Sequence, residues 1–210
     1  MQPTRLLVIR HGETVSNQAG RFQGQADSPL SPAGTAQSEA LAARLARAGL
    51  AAIYSSDLGR AMHTAQLIAA AAGLSLQIDA RLRERHLGVF QGLTADEVAA
   101  QHPDANAAFR RGDPDFVLPQ GESMRQSLLR FCACCDELAG RHAACTIALV
   151  THGGVMSTFL RHVLGLPLDA PRRYKRLNAS INAFVREQGR WYLESWGDTS
   201  HLADGSRDDA

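Results

Sequence analysis

The sequence lacks the features that mark membrane proteins and secreted proteins. Among its 210 residues, no apolar run approaches the roughly 20 residues that a membrane helix needs. The N-terminus carries Arg5 and a short apolar run, but no cleavage signal precedes Arg10-His11. We therefore expect a cytoplasmic protein with no membrane partner.

A strong net charge is also missing. The 22 lysines and arginines balance 21 aspartates and glutamates, which leaves a formal net charge of +1. Such a chain has no whole-molecule field that would attract a polyanion. We expect no nucleic-acid partner.

Cysteine is scarce, and its spacing does not support a metal site. Of the four cysteines, Cys132 and Cys135 have the C-x-x-C spacing of metal and redox pairs. No second pair exists, and both residues lie in a predicted helix over 122–141. We interpret them as small buried hydrophobic residues.

The chain does contain a regular alternation of strand and helix patterns. Strands are predicted at 6–9, 51–55, 74–78 and 146–150, and a hairpin at 179–186 and 190–196. The intervening helical patterns predict a three-layer α/β/α fold with a mostly parallel central sheet. Without repeats or linkers, residues 1–202 form one predicted domain, followed by a tail at 203–210 that we expect to be disordered.

Three predicted strands end in polar residues of the same kind. The first ends at Arg10-His11-Gly12, the second continues into Ser55-Ser56-Asp57 and then Arg60, and a later one ends at His152-Gly153-Gly154. If these strands are neighbours, two imidazoles and two guanidiniums converge beside helix N-termini, which favour anions. Because arginine also matches phosphate oxygens, the pattern predicts a phosphoryl site.

Two histidines and a carboxylate could supply the chemistry at such a site. One imidazole can attack phosphorus, and the other, when protonated, can stabilise the phosphoryl oxygens. A leaving alkoxide needs a proton, and Glu84 in the irregular segment 81–92 is the favoured donor. Glu13 competes, but we expect it to cap or brace the following turn. An ordinary salt bridge with Arg83 or Arg85 is the other interpretation of Glu84.

Five ordered motifs resemble the signature of the histidine phosphatase superfamily, which has a phosphoglycerate mutase-like fold. The first is Arg10-His11-Gly12-Glu13-Thr14, with Asn17 and residues 21–24 beyond it. The others are residues 55–61, 82–92, 121–123 and 151–154. Their order and spacing agree across nearly the whole chain, which makes the resemblance specific.

The resemblance implies a role for each site residue. His11 would be the phosphorylated nucleophile, and Arg10, Arg60 and His152 would hold the phosphoryl oxygens. Glu84 would protonate the leaving oxygen and then activate water or a second acceptor. Further substrate contacts would come from Asn17, Gln23, Gly24, Gly153 and His86, although His86 could equally be structural. No metal or cofactor is implied, because cationic side chains replace the magnesium of other phosphoryl-transfer sites.

The resemblance leaves a choice between phosphatase and mutase. His152 follows Glu84 by only 68 positions, which lacks room for the extra segment of cofactor-dependent mutases. Residues 197–202 also resemble phosphatase-type members, whereas Glu84-Arg85-His86 resembles the mutases. We expect a metal-independent phosphomonoesterase that hydrolyses small phosphorylated metabolites through a phosphohistidine. A cofactor-dependent phosphoglycerate mutase and a non-catalytic phosphate-binding or scaffold protein are the alternatives.

Substrate identity and assembly stay open at this point. Selectivity is expected from residues 93–121, Phe22 and His86, since loops carry specificity. The basic run 172–176 is interpreted as a solvated surface segment. The sequence leaves the oligomeric state open between a monomer and an assembly such as a homodimer.

Overall fold

A six-stranded sheet forms the centre of the protein in the computed structural model, which describes residues 3–203, Ser206 and Asp208. The strands are β1 (Thr4–Arg10), β2 (Leu50–Ser55), β3 (Leu76–Ile78), β4 (Thr146–Thr151), β5 (Ile181–Glu187) and β6 (Arg190–Asp198). They lie in the order β3-β2-β4-β1-β5-β6. The first four in that order are parallel, and β5 and β6 add an antiparallel hairpin. The expected mostly parallel sheet is confirmed.

Helices cover both faces of this sheet. They are α1 (Val15–Gln18), α2 (Pro32–Leu45), α3 (Gly59–Ala72), α4 (Ala95–Gln101), α5 (Pro103–Arg110), α6 (Met124–Arg141) and α7 (Gly153–Val163). Short 3₁₀ turns occur at Ala80–Leu82 and Gly88–Phe90. The helices α2 and α3 pack on one face, and α6 and α7 pack on the other. The three-layer α/β/α architecture is therefore confirmed.

Strand β1 shows why the sequence reads as a continuous apolar run. Leu7 and Ile9 pack toward α2 and α3, whereas Leu6 and Val8 pack toward α6 and α7. Side chains alternate between the faces of a strand, and both faces are covered here. All four are buried, and each contributes about 1.5–3 kcal/mol relative to an exposed side chain.

A separate apolar cluster lies in the segment between the 3₁₀ turns and α6. Phe90, Val98 and Leu118 form its buried centre, and Phe22 and Phe109 pack against it. This cluster holds α4 and α5 together beyond the main sheet. It therefore fixes the part of the chain from which substrate selectivity was expected.

The cysteines and the end of the chain were also subjects of prediction. Of the two cysteines interpreted as buried, Cys135 is buried in α6 and Cys132 is only half-buried, and no metal-binding cluster occurs within the described residues. Over residues 3–203, Ser206 and Asp208, no helix is long and apolar enough to cross a bilayer. In the tail at 203–210, residues 204, 205, 207, 209 and 210 lie outside the described residues. Ser206 Oγ donates to the carbonyl of Asn178. The domain boundary at 202 stays a prediction.

Candidate active site

The three strand ends singled out in the sequence lie side by side. Strand β4 runs between β2 and β1, so their carboxyl ends share one edge of the sheet. The N–H of His11 donates to Thr151 O at 3.1 Å, and the N–H of Ser56 donates to Val150 O at 3.1 Å. His152 follows Thr151 directly. The predicted convergence of these segments is confirmed.

His11 is held as a neutral imidazole with one defined tautomer. Its Nδ1 lies 2.7 Å from the carbonyl of Gly12, which can only accept a hydrogen bond, so Nδ1 carries the proton. Burial, followed by the charges of Arg60 and Arg10, lowers the pKa of His11 well below its usual range. The lone pair of Nε2 is therefore available to attack at neutral pH.

Close backbone packing fixes the loop that carries His11. A Cβ on Gly12 would lie 2.3 Å from the carbonyl of Gly34, and a Cβ on Gly34 would lie 1.9 Å from Glu13 O. The N–H of Gly12 also donates to Thr64 Oγ1 of α3 at 3.1 Å. These contacts tie the loop to α2 and α3, and only glycine permits them.

Two buried arginines lie beside the nucleophile. The Nε–H of Arg60, in the first turn of α3, donates a long hydrogen bond of 3.3 Å to the Nε2 lone pair of His11, which a substrate phosphoryl group would have to displace. Its Nη1 and Nη2 donate to Ala26 O at 2.9 Å and Gly24 O at 2.6 Å, which anchors the loop after α1. Arg10 is 1% exposed, and its Nη1 donates to the carbonyl of Arg176. Buried guanidiniums next to His11 are suited to hold phosphoryl oxygens.

His152 is fully buried and lies next to His11. Its ring centroid is 5.2 Å from that of His11, and its Nε2 is 3.0 Å from Ser56 Oγ. Ser56 Oγ accepts from the N–H of Leu58 at 3.2 Å, and its own hydroxyl proton can be donated to Nε2. In that arrangement His152 Nδ1 carries a proton and has no acceptor among the described residues. A phosphoryl oxygen would satisfy this buried N–H.

The charge state of His152 differs from the sequence-based expectation. The role predicted for the second imidazole was conditional on its being protonated, but burial and then the charge of Arg60 lower the pKa of His152 well below its usual range. With two arginines beside it, a third cation is unfavourable in the free site. His152 can still donate one neutral N–H from Nδ1.

Glu84 caps the N-terminus of α7. Its Oε2 accepts from the N–H of Gly154 at 2.7 Å, and its Oε1 accepts from those of Val155 at 3.1 Å and Arg85 at 2.8 Å. A Cβ on Gly154 would lie 2.4 Å from Oε1, so glycine is needed for this approach. The cap places the carboxylate next to the turn that carries His152.

The two arginines that flank Glu84 in sequence have other partners. Arg83 forms an ion pair with Asp57, with Nη2 and Oδ2 2.5 Å apart. Arg85 Nε donates to the carbonyl of Glu122 at 3.0 Å. No ion pair to Glu84 occurs within the described residues. The salt-bridge interpretation of Glu84 is therefore wrong.

Glu13 has the bracing role that we expected. Its Oε1 accepts from Gln18 Nε2 and from Ser31 Oγ, each at 2.8 Å. Ser31 also caps α2 by accepting from the N–H of Gly34. Glu13 thus joins α1 to the start of α2 and does not line the cavity beside His11.

A cavity of about 710 Å³ opens beside His11. Eight residues predicted for the site line it: Arg10, His11, Asn17, Gln23, Gly24, Arg60, Glu84 and Gly153. His152 and His86 are not among the lining residues. His152 lies behind His11, with the two ring centroids 5.2 Å apart, and His86 Nδ1 accepts from the N–H of Gly88 at 3.0 Å. The structure gives His86 a place in a local turn, so its contact with substrate stays a prediction.

The basic run 172–176 was interpreted as a solvated surface segment. This interpretation is wrong for its first, third and fifth residues. Arg172 and Arg176 line the cavity, and Tyr174 between them is half-buried. Arg173 and Lys175 are exposed. Exposed and half-buried residues thus alternate along this irregular segment, which bends at Tyr174. The five residues carry no pattern of hydrophobicity from which this could have been read.

Together, the fold and the site define an α/β protein built to bind a phosphoryl group beside a neutral histidine. Residues 6–199 match the family described as the histidine phosphatase superfamily (branch 1). The chain belongs to this superfamily, as its motifs suggested.

Known relatives are similar to the protein in sequence and structure along nearly the whole chain. A probable phosphoglycerate mutase, GpmB of Yersinia pestis, is 36% identical over 203 residues, which is 94% of each chain. The structure of Bacillus stearothermophilus YhfR is similar with a TM-score of 0.87 at 34% identity, covering 94% of this chain and 98% of that one. A mycobacterial glucosyl-3-phosphoglycerate phosphatase reaches 0.82 at 33% identity, covering 93% and 99%.

Proposed function

We propose that the protein is a metal-independent phosphomonoesterase that hydrolyses small phosphorylated metabolites through a phosphohistidine on His11. The observation that carries the proposal is the geometry of His11. Its Nδ1 is committed to Gly12 O, its pKa is lowered by burial, and its Nε2 faces Arg60 at 3.3 Å. These features leave a neutral nucleophile beside a cation. The name of the mycobacterial relative, a phosphatase, supports the same reaction class.

The first step transfers the phosphoryl group to the enzyme. Arg10, Arg60 and the Nδ1–H of His152 hold the phosphoryl oxygens while His11 Nε2 forms a bond to phosphorus. The ester P–O bond breaks in line, and the leaving oxygen takes the proton of the Glu84 carboxylic acid. Donors fixed in place before the reaction stabilise the charge on the transferring group.

The second step returns the enzyme to its starting state. A water molecule attacks phosphorus, and the Glu84 carboxylate accepts its proton. The P–N bond breaks, phosphate leaves, and His11 Nε2 regains its lone pair. The N–H groups of Gly154 and Val155 keep the Glu84 carboxyl in one place through both steps.

Mutase activity is the second candidate, and the name of the Yersinia relative is the observation that favours it. A mutase must protect its phosphohistidine from water and hold the acceptor for return transfer. Conversion of 3-phosphoglycerate to 2-phosphoglycerate with catalytic 2,3-bisphosphoglycerate, followed in a coupled assay, distinguishes the two. The complete set of His11, Arg10, Arg60, Glu84 and His152 argues against a non-catalytic scaffold.

The decisive test of the proposed function is His11→Ala assayed with p-nitrophenyl phosphate. We expect turnover to disappear, and a chelator to leave the wild-type rate unchanged. His63→Ala is the matched control, because His63 is exposed on α3, the helix that also carries Arg60. Full activity in His11→Ala, or a rate that depends on added metal, contradicts the proposal.

A further inference from the structure

A carboxylate of the chain itself occupies part of the cavity wall. Arg172 Nη1 donates to both oxygens of Asp208, at 2.8 Å each. The backbone N–H of Arg176 donates to Asp208 Oδ1 at 2.8 Å. All three residues line the cavity that contains His11. The wall therefore has a built position for a carboxylate, apart from the phosphoryl clamp.

This position lies one residue away from the phosphoryl clamp. The carbonyl of Arg176 accepts from Arg10 Nη1, while the N–H of the same residue holds Asp208. The backbone of Arg176 thus contacts the phosphoryl clamp through its carbonyl and the carboxylate position through its N–H.

The occupant differs from the partners of three other cavity arginines in its place in the fold. Arg21 pairs with Glu97, which belongs to the capping box of α4. Arg85 and Arg161 donate to the backbone carbonyls of Glu122 and Leu168. Asp208 follows the last strand, and its β-type pairing is a single isolated bridge to Leu177. Its carboxylate can exchange for another one at low cost in structure.

We propose that Arg172 and the N–H of Arg176 form a second anion subsite, which binds a carboxylate of the substrate, and that Asp208 fills this subsite as an internal competitor. The proposal rests on the proposed function, because it places the phosphate of the same substrate at Arg10 and His11. It assigns the substrate class as phosphomonoesters that carry a carboxylate.

Two ligands that differ in one group provide the test. 3-Phosphoglycerate and glycerol 3-phosphate share the phosphate ester and differ in a carboxylate against a hydroxymethyl group. Binding is measured by calorimetry in the His11→Ala background, so that no ligand is turned over. A wild-type chain that lacks phosphatase activity would contradict the proposed function and leave this binding comparison readable.

The variants act on the subsite from both sides. Arg172→Gln is expected to weaken the binding of 3-phosphoglycerate about tenfold, or about 1.4 kcal/mol, and to leave the affinity for glycerol 3-phosphate unchanged. Asp208→Asn is expected to strengthen the binding of 3-phosphoglycerate but not that of glycerol 3-phosphate, because the internal competitor loses its charge. Arg173→Gln is the matched control, because this residue is exposed in the same run. It should change neither affinity.

Other outcomes overturn the proposal. An equal loss for both ligands in Arg172→Gln would show that the arginine serves the phosphate, and no loss would show that it serves only the fold. Unchanged or weaker binding of 3-phosphoglycerate in Asp208→Asn would show that no competition exists. Asp208→Asn keeps the size of the side chain outside the core, so it decides the question even if Arg172→Gln does not fold.

Discussion

Ser56 Oγ lies 3.0 Å from Nε2 of His152, and this contact joins the end of β2 to the start of α7. When the Ser56 hydroxyl donates to Nε2, it holds the proton of His152 on Nδ1. A serine outside the recognised ligand set thus determines which nitrogen of His152 is a donor. It makes Ser56 a positioning residue for the phosphoryl site.

Loss of this hydroxyl should impair turnover while leaving the fold intact. In Ser56→Ala, His152 is free to carry its proton on Nε2, where it cannot reach the phosphoryl oxygen. We expect kcat to fall roughly tenfold, the worth of one hydrogen bond of about 1.4 kcal/mol. Ser56→Thr keeps a hydroxyl and should recover part of the rate. A wild-type kcat in Ser56→Ala, with an unchanged melting temperature, would show that the contact has no role in orienting His152.

Replacement of Glu84 should affect poor leaving groups most. Glu84→Gln keeps the size of the side chain but cannot protonate an alkoxide. We expect phosphohistidine formation from glycerol 3-phosphate to slow by about 100-fold or more, and formation from p-nitrophenyl phosphate to slow much less. Rapid-quench measurement of the first step separates this effect from the role of Glu84 in hydrolysis. Equal losses for the two substrates would exclude Glu84 as the acid.

The sequence predicted which strand ends form the edge of the sheet, but it did not predict the side-chain contacts made there. The strand ends at Arg10 and His152 could be predicted because parallel strands buried on both faces form apolar runs that stop abruptly. The start of α3 was harder to place, since serine and aspartate are both good helix caps and Ser55, Ser56 and Asp57 occur in a row. Leu58 is the cap residue, because Asp57 pairs with Arg83 and the Ser56 hydroxyl is used by His152.

Long-range contacts could not be predicted from the sequence. Ser56 and His152 are 96 positions apart, and their contact depends on β2 and β4 being neighbours. Arg172 and Arg176 enter the cavity because of the path of the chain between α7 and β5. The chain between those elements has no hydrophobic period, so nothing local indicates which side chains face inward.

The two site histidines should make folding sensitive to acid. Their folded pKa values are lowered by burial, whereas the unfolded chain binds protons at histidine near the usual pKa of about 6.5. Below that pH the unfolded state holds more protons, so stability is present above pH 6.5 and is lost as the pH falls toward the folded pKa values. We expect the free energy of unfolding to drop by up to about 1.4 kcal/mol per pH unit for each histidine.

Urea unfolding at a series of pH values measures this slope. The double variant His11→Gln, His152→Gln removes both groups and should show a shallower decline between pH 6.5 and 5. His63→Ala controls for histidine loss in general, because His63 is exposed. The same slope in wild type and double variant would mean that these histidines are not held neutral in the fold.

Glycine at position 154 allows Glu84 to reach the α7 N-terminus. In Gly154→Ala the new Cβ would lie 2.4 Å from Glu84 Oε1, so the carboxyl must move away from its N–H donors. We expect Gly154→Ala to reproduce the leaving-group dependence of Glu84→Gln. Gly140→Ala is the matched control: it lies in a helix with no atom near the new methyl group, so it should stabilise the fold by about 0.5–1 kcal/mol and leave turnover unchanged. Full alkyl-phosphatase activity in Gly154→Ala would show that the acid does not need this position.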